Sequence, residues 1–474
     1  MKLLKKLLLV SGVIALATGC SSDPAPVETP APSSVDNSIN NNTIANAESA
    51  PSNDVAEPAT NVEPIKLTFW HSMGGAGGTA LEQLVADYNA SQNEIIVTAQ
   101  YQGTYDDAVN KLKSSAISNS GPDIMQLYDI GTRWMIDSGY AVAIEDLINQ
   151  AGYDLSQIDP SVLGYYTVND KLYGMPFNTS TPILYYNKDA FAEAGLTEAD
   201  VPTTFEEILE VSEILTKKNG NEIERYGFAM HVYGWFFEQF LVKQDLFYAN
   251  NGNGRAAHAT AVEFDENGGG VAILQGWKDL YDSGFVGSFG REWATTRDAF
   301  TSGRIAMTLG STASLGDIEL AATFDVGTGY FPKVHADDPG GVSIGGAAMW
   351  IMNKDEQTEQ AAWKFTEYMI SPEVQAEWAK ATGYFPVSLG AYELATMQDH
   401  LEQYPAFQTA IDQLRDSNGS TGALLAVFSE ARATIEENIE KVLNNTLTPE
   451  EAVSDAAKVI NNAIERYNLA NGIE

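Results

Sequence analysis

The sequence predicts an α/β fold with mostly parallel sheets, divided into two domains. Segments typical of strands alternate with segments of helical spacing: IKLTFW (65–70) precedes a segment with four apolar residues at helical positions between 81 and 88. EIIVTAQY (94–101) and DIMQLYDI (123–130) have the composition of buried strands. Such alternation is typical of layered α/β proteins. The roughly 410 residues after position 64 are enough for more than one core.

Two helix starts are predicted from capping boxes. Thr203 with Glu206, and Thr448 with Glu451, have the spacing at which a hydroxyl and a carboxylate cap the first turn of a helix. Pro372 follows Ser371 in the same way that Pro449 follows Thr448, and proline favours the first helical position. We therefore expect helices to begin at these sites.

The N-terminus is predicted to be a lipoprotein signal peptide spanning residues 1–19. Lysines precede an apolar run at 7–17 that is too short to span a bilayer. Cys20 follows Ala-Thr-Gly and is the only cysteine, so the chain has no intramolecular disulfide. This arrangement resembles the lipobox of bacterial lipoproteins, which implies that Cys20 is acylated, for example with palmitate, and becomes the new N-terminus. The alternative is an ordinary free cysteine in a cleaved leader.

Residues 20–64 are expected to be the acylated cysteine followed by a disordered tether. From 21 to 64 the chain is rich in Pro, Ser, Asn, Ala and Glu, contains no Lys or Arg, and has no strand or helical periodicity. A flexible coil of about forty residues spans roughly 35 Å. The tether would hold the folded body clear of the outer face of the cell membrane.

The charge of the chain argues against two classes of partner. There are 64 acidic and 27 basic residues, which give a formal net charge of −37. Nucleic acids and anionic lipid surfaces would repel such a protein. We therefore expect no nucleic-acid partner, and membrane attachment only through the N-terminal lipid.

No catalytic motif is evident. The five histidines are scattered, without metal-binding spacing, and no nucleophile-elbow or phosphate-loop sequence occurs. A polysaccharide hydrolase would need two acids about 5–9.5 Å apart, and the sequence indicates no such pair. We expect no enzyme activity, no metal and no organic cofactor.

Eight sequence blocks carry a resemblance to a known family. They are FWHSM (69–73), YQGTY (101–105), LYDIGT (127–132), PFNTSTPILYYNKDAF (176–191), AMTLGSTASL (306–315), IGGAAMW (344–350), TGYFPVS (382–388) and EARATIEENIE (430–440). In this order they resemble family 1 of the extracellular solute-binding proteins of ABC importers, the cluster that includes maltose-binding proteins. Within it, they are most similar to the branch that binds sn-glycerol-3-phosphate.

The resemblance implies an architecture and a function. The fold would be a two-lobed periplasmic-binding-protein fold of type II, with several crossing segments and a ligand cleft between the lobes. The first lobe would comprise 65–176 and 331–372, and the second 180–327 and 375–470. The protein would be a monomer that captures its ligand by hinge closure. It would then deliver sn-glycerol-3-phosphate or a glycerophosphodiester to membrane permease subunits driven by a cytoplasmic ATPase.

Three residues match the family's phosphate contacts. Tyr384 in TGYFP and Arg432 in EARAT match the tyrosine and arginine that hold the phosphate. Gly346 in IGGAA matches a glycine whose N–H approaches it, where a side chain would block access. Taken alone, Arg432 could instead be a solvated helix residue paired with Glu430 and Glu436.

Five further residues match the rest of the family's site. Tyr105 matches a ligand-contacting tyrosine. Asp129 stands where the family has a glutamate that accepts hydrogen bonds from glycerol hydroxyls, and the aspartate side chain is one methylene shorter. Ser180 and Ser311 match two serines that donate hydrogen bonds. Phe205 stands where the family has a tryptophan near the ligand, and packing in the core is its open alternative.

An oligosaccharide receptor is the alternative function. Sugar receptors stack rings on aromatic side chains, and HVYGWFFEQF (231–240) is rich in them. A neutral sugar does not require Arg432, whereas a phosphate does. The arginine therefore favours a phosphate-bearing ligand.

Overall fold

The computed structural model describes residues 63–118, 120–417 and 422–473. The described residues of Asn61–Glu474 form one compact unit. The predicted signal peptide, Cys20 and all but the last two residues of the predicted tether lie outside the described residues. In the ranges described, no helix is long and apolar enough to cross a membrane.

The strands form two large sheets and one hairpin. They are β1 (Ile65–His71), β2 (Ile95–Tyr101), β3 (Ile124–Tyr128), β4 (Thr167–Val168), β5 (Lys171–Leu172), β6 (Met175–Ser180), β7 (Pro182–Asn187), β8 (Lys217–Asn219), β9 (Glu222–Ala229), β10 (Val286–Gly287), β11 (Ile305–Ser311), β12 (Val326–Tyr330) and β13 (Gly345–Ile351). The first sheet has the order β2-β1-β3-β13-β6. The second has the order β10-β9-β11-β7-β12, with β8 beside β9, and β4 pairs with β5.

Both sheets are mixed, so the expectation of mostly parallel sheets is wrong. In the first sheet β1 is parallel to β2 and β3, but β13 is antiparallel to β3 and β6. In the second sheet β9 is parallel to β10 and β11, but β7 is antiparallel to β11 and β12. The antiparallel pairs arise where the chain passes between the sheets, because β6, β7 and β13 enter or leave a sheet without a helical crossover that would return them in the parallel direction.

Helices cover the faces of the sheets. They are α1 (Gly75–Ser91), α2 (Tyr105–Ser118), α3 (Thr132–Ser138), α4 (Ile144–Ala151), α5 (Pro160–Leu163), α6 (Lys188–Ala194), α7 (Phe205–Leu215), α8 (Gly234–Lys243), α9 (Asn250–Gly254), α10 (Gly269–Asp282), α11 (Trp293–Thr301), α12 (Leu315–Ala321), α13 (Glu356–Met369), α14 (Pro372–Thr382), α15 (Ala395–Gln403), α16 (Ala406–Arg415), α17 (Phe428–Leu443) and α18 (Pro449–Asn471). Helices α1, α2 and α13 pack on the first sheet, and α7, α10, α11 and α16 on the second. Strands β3, β6 and β7 are buried along their whole length, as expected for strands covered on both faces.

The predicted helix starts are confirmed with one correction. Thr448 and Glu451 form the capping box of α18, and prolines occupy the first turns of α14 and α18. The box predicted for Thr203 and Glu206 is wrong by one residue. The N-cap of α7 is Thr204, and the Glu207 carboxylate accepts from the backbone N–H of Thr203 at 2.7 Å. The first residue of the helix is therefore Phe205, one position later than predicted.

The backbones of four segments meet where the chain first passes between the sheets. Strand β6 ends the first sheet at Ser180 and β7 begins the second at Pro182. The N–H of Thr312 donates to the carbonyl of Thr181 at 3.0 Å, and the N–H of Phe385 donates to the carbonyl of Thr179 at 3.0 Å. Gly345 of β13 pairs with Ser180. We call this meeting point, 178–182 with its three neighbours, the junction. The residue limits given above for the two lobes stay a prediction.

Candidate functional site

Three of the predicted site residues lie at the junction. Ser180 is the last residue of β6 and is buried, and Ser311 ends β11 directly opposite Pro182. Gly346 pairs with Thr179 across the first sheet. Strand pairing therefore brings Ser180 close to two residues that lie more than a hundred positions further along the chain.

Glycine is required at position 346 for a reason that is independent of any ligand. Its φ is +96°, in the region that favours glycine. A Cβ added there would lie 1.9 Å from the carbonyl oxygen of Asn178, far inside contact distance. The close approach of β13 to the junction therefore excludes a side chain.

Two predicted tyrosines form a neutral cluster with Asn178, which we call the tyrosine cluster. The amide of Asn178 donates to the Tyr105 hydroxyl at 3.2 Å. Burial raises the pKa of Tyr384, and hydrogen bonds with Asn178 and Tyr105 partly offset this effect. Burial also raises the pKa of Tyr105 well above its ordinary value. Both phenols therefore stay protonated at neutral pH and can act as hydrogen-bond donors.

The rings of the tyrosine cluster are held by aromatic neighbours. Tyr105 stacks on Tyr128 with centroids 5.1 Å apart and an interplanar angle of 12°. Tyr384 stacks on Trp378 at 5.7 Å and 10°. These stacks restrict the direction in which each hydroxyl points.

Arg432 forms the centre of a charged group with Glu238 and Tyr233, which we call the arginine cluster. Its Nε and Nη2 donate to the two carboxylate oxygens of Glu238 at 2.8 and 2.7 Å. The guanidinium lies 5.4 Å from the ring centroid of Tyr233, and Nη1 faces the Tyr233 hydroxyl at 3.5 Å. The side chains of Arg432 and Glu238 are 9% and 13% exposed, so the pair is largely buried.

The solvated alternative for Arg432 is wrong. Glu430 pairs instead with Arg466 at 2.8 Å, and Glu436 accepts from the N–H of Gly234 at 3.0 Å. Burial opposes the charge of Arg432, but Glu238, Tyr233 and Asp129 together outweigh burial and hold the pKa of Arg432 well above its ordinary value. Burial raises the pKa of Glu238, and Arg432 opposes that rise.

The charge of Asp129 acts on both clusters. It follows β3, begins the short turn Asp129–Gly131, and its Oδ1 accepts from the N–H of Ile130 at 2.9 Å. Burial raises the pKa of Asp129, and the positive charge of Arg432 opposes the rise. The Asp129 charge also contributes to the raised pKa of Tyr105. The carboxylate of Asp129 therefore interacts electrostatically with a member of each cluster.

Phe205 is not brought together with the other predicted site residues. It is buried at the start of α7, its ring lies 4.8 Å from that of Phe240, and its edge fills the space beside Gly276. These neighbours belong to α8 and α10. The packing favours the core alternative.

The residue that sequence reasoning missed is Glu238. It is the only charged residue in the apolar segment 231–240, and a lone carboxylate on a buried helix requires a cationic partner. The sequence therefore indicates that Glu238 has a cationic partner, but it does not identify Arg432, which is 194 residues away in the chain. Asn178 is a second residue to which the sequence assigns no role, although it lies in the block PFNTSTPILYYNKDAF; its amide donates to the Tyr105 hydroxyl.

The aromatic segment does not form an open platform. Trp235 is buried against Gly345, and Phe236 and Phe237 are fully buried. Tyr233 alone among the four lies over Arg432.

The chemistry of the two clusters suits a small polar anion. Together they contain hydroxyl, amide and guanidinium donors, and carboxylates that can act as acceptors. Among the residues described, no three His, Cys, Asp or Glu side chains are grouped so as to hold a metal ion.

Comparison with known proteins identifies the family and the fold. Residues 83–409 match the family described as bacterial extracellular solute-binding protein. The sn-glycerol-3-phosphate-binding periplasmic protein UgpB of Escherichia coli strain K12 is 32% identical over 414 residues, covering 85% of this chain and 93% of the relative. UgpB of Salmonella typhimurium strain LT2 is 31% identical over 419 residues, covering 85% and 94%.

Two solved structures are similar over nearly their whole length. One is UgpB from Mycobacterium tuberculosis in complex with glycerophosphocholine, with a TM-score of 0.73, 22% identity and coverage of 86% of this chain and 99% of that one. The other is the cyclic alpha-maltosyl-1,6-maltose binding protein from Arthrobacter globiformis, with a TM-score of 0.70, 23% identity and coverage of 85% and 100%. The predictions of family and fold are confirmed. The chain belongs to the bacterial extracellular solute-binding proteins and has their two-lobed, type II α/β fold.

Proposed function

We propose that this protein captures sn-glycerol-3-phosphate or a glycerophosphodiester for an ABC importer. The observation that carries the proposal is the buried Arg432 beside hydroxyl donors, in a chain that is 32% identical to an sn-glycerol-3-phosphate-binding protein. Members of this family bind solutes and are not enzymes. Capture therefore requires no chemical step.

The two clusters could share a ligand in complementary ways. A phosphate that leaves water needs several converging donors and, ideally, a fixed positive charge. Arg432 would provide the charge, and Tyr384 with the N–H of Gly346 would donate hydrogen bonds to phosphate oxygens. Asp129 would accept from glycerol hydroxyls.

The remaining contacts would come from Tyr105 and the two serines, Ser180 and Ser311. All three lie at or next to the junction, where the sheets approach each other. A ligand held there would bridge elements of both sheets and stabilise the closed form by its higher affinity for that form. The closed receptor would then dock on permease subunits driven by a cytoplasmic ATPase.

Export and anchoring are part of the same proposal. Curated relatives are named periplasmic proteins, and the leader with its single Cys20 has the pattern of a lipoprotein signal. The mature protein would be a monomer, acylated at Cys20 and tethered to the outer face of the cell membrane.

An oligosaccharide ligand is the second candidate, because proteins of the same fold bind sugars. The burial of Trp235, Phe236 and Phe237 argues against it, since sugar stacking needs exposed ring faces. A neutral ring also does not require the positive charge of Arg432.

A thermal-shift panel tests the proposal. Purified protein is heated with sn-glycerol-3-phosphate, glycerophosphocholine, inorganic phosphate or maltose, each at the same excess. We expect stabilisation by one or both glycerol phosphates, because a ligand that binds only the folded state raises the melting temperature. Stabilisation by maltose alone would overturn the assignment of the ligand.

A further inference from the structure

We propose that Glu238 sets the ligand charge that the site accepts. By balancing Arg432, it weakens the preference for a doubly charged phosphomonoester over a singly charged phosphodiester. This inference rests on the proposed function, because it concerns the phosphate contact of the same site.

The geometry of the pair is the first argument. Glu238 engages Nε and Nη2 of Arg432 through both carboxylate oxygens, at 2.8 and 2.7 Å. Those two nitrogens form an edge of the guanidinium that binds carboxylate or phosphate in a fork. With that edge occupied, the N–H groups that remain for a ligand are the two of Nη1, which faces the Tyr233 hydroxyl at 3.5 Å, and the second one of Nη2. The phosphate would then meet the end of the guanidinium, while the Glu238 carboxylate occupies its side edge.

The balance of charge is the second argument. The charged groups that act most strongly on Arg432 are Glu238 and Asp129, and both are acids. Glu436 is a third acid that is influenced by Arg432 and Glu238. One buried cation therefore faces at least two carboxylates, and the cluster has no surplus positive charge to offer a dianion.

The two ligand classes differ in how much they need such a surplus. A phosphomonoester carries about −1.5 to −2 at pH 7, because its second proton dissociates near pH 6. A phosphodiester has no second acidic proton and carries one negative charge. In a buried site, where the effective dielectric constant is low, each additional negative charge beside Glu238 is unfavourable.

A purely structural role for the pair makes a different prediction. Glu238 lies on α8 and Arg432 on α17, two helices that pack together. If the ion pair only held these helices, its loss would weaken the binding of both ligand classes alike. The ratio of the two affinities distinguishes the two roles.

The experiment is calorimetry on Glu238→Gln. The amide has the size of the carboxylate and keeps one oxygen that can accept from Arg432, but it removes the negative charge. The ligands are sn-glycerol-3-phosphate and glycerophosphoglycerol, a diester whose second alcohol is uncharged. We expect the ratio of affinities to shift about tenfold towards the monoester.

Asp137→Asn is the matched control. Asp137 is also a largely buried carboxylate paired with an arginine, 3.5 Å from Arg133, and it contacts His258 at 3.0 Å. Neither of these neighbours belongs to the two clusters. This variant should leave the ratio of affinities unchanged.

The outcomes separate the inference from the proposed function. An unchanged ratio in Glu238→Gln, with both ligands still bound, overturns the role of Glu238 and leaves the proposed function standing. Failure of the wild type and the variant to bind either ligand overturns the proposed function and this inference together. If Glu238→Gln does not fold, the affinities of the wild-type protein for the two ligands test the inference instead. These two affinities should lie within about tenfold of each other, and a monoester preference of a hundredfold or more overturns the inference.

Discussion

The tyrosine cluster and the arginine cluster are built by different means. Tyr105, Asn178 and Tyr384 come from α2, β6 and the segment after α14, and the junction brings them together. Arg432 and Glu238 come from two packed helices, α17 and α8. The first cluster is neutral and is held by ring stacking and amide hydrogen bonds. The second is charged and is held by a two-pronged ion pair.

This difference implies a difference in the energy each cluster provides. A hydrogen bond between neutral groups typically contributes about 0.5–1.5 kcal/mol, and one to a charged group about 1.5–3 kcal/mol. Removing one partner of a buried ion pair costs more than the pair is worth, since the other charge is left without a partner. We therefore expect binding to depend most on the arginine cluster.

The largest effect is expected for Arg432→Ala. Affinity for sn-glycerol-3-phosphate should fall by a hundredfold or more, because the fixed positive charge of the site is lost. The free energy of unfolding should also fall by about 3–5 kcal/mol, since Glu238 would remain buried without its cation. Calorimetry measures the first quantity and denaturant unfolding the second.

Arg466→Ala is the control for that change. Arg466 is exposed and pairs with Glu430 at 2.8 Å, and neither residue belongs to the two clusters. Its loss should cost less than about 1 kcal/mol of stability and should not alter affinity, because exposed ion pairs contribute little. Retained affinity in Arg432→Ala would show that the arginine cluster is not the phosphate contact.

An intermediate effect is expected for Tyr384→Phe. The ring keeps its stack on Trp378, and only the hydroxyl of the tyrosine cluster is removed. Affinity for sn-glycerol-3-phosphate should fall by about tenfold, which corresponds to the lower end of the range for one hydrogen bond to a charged group. Tyr330→Phe is the control. It removes a hydroxyl that donates to Asp416 at 2.7 Å and belongs to neither cluster, so it should leave affinity unchanged. A loss of affinity as large as that expected for Arg432→Ala would show that binding does not depend more on the arginine cluster than on the tyrosine cluster.

The smallest effect on binding is expected for Phe205→Leu. Because Phe205 packs on Phe240, the change should lower the free energy of unfolding by about 1 kcal/mol and leave affinity unaltered. Phe191→Leu, at a buried ring 4.7 Å from Tyr186, should behave in the same way. A tenfold loss of affinity with unchanged stability would place Phe205 in the ligand site instead of the core.

Much of the junction could be predicted from the chain. The run Asn178–Thr181 is polar and precedes a strand of buried composition, and it falls at the boundary that the resemblance implies between the first lobe, ending at 176, and the second, beginning at 180. Strand pairing brings Ser180, Ser311 and Gly346 to that place. These residues could be proposed from the sequence because each lies in a short block that resembles the family. The ligand contacts assigned to them stay predictions.

Two features could not be read from local patterns. The mixed direction of the sheets depends on which distant strands become neighbours, and alternation of strands and helices leaves that open. Phe205 matches a cleft position by resemblance, yet its ring is covered by α8 and α10. In both cases the deciding neighbours are remote in the chain.

Arg432 shows most clearly where local reasoning ends. Composition, helix signals and the ordered blocks were sufficient for the α/β class and the family, since such patterns are properties of short segments. The partner of Arg432 could not be predicted from such patterns. Local spacing suggested Glu430 or Glu436, but folding buries the arginine and places Glu238, 194 residues away, against it. A buried charge pairs with the group that packing brings to it, and packing exists only in the folded chain.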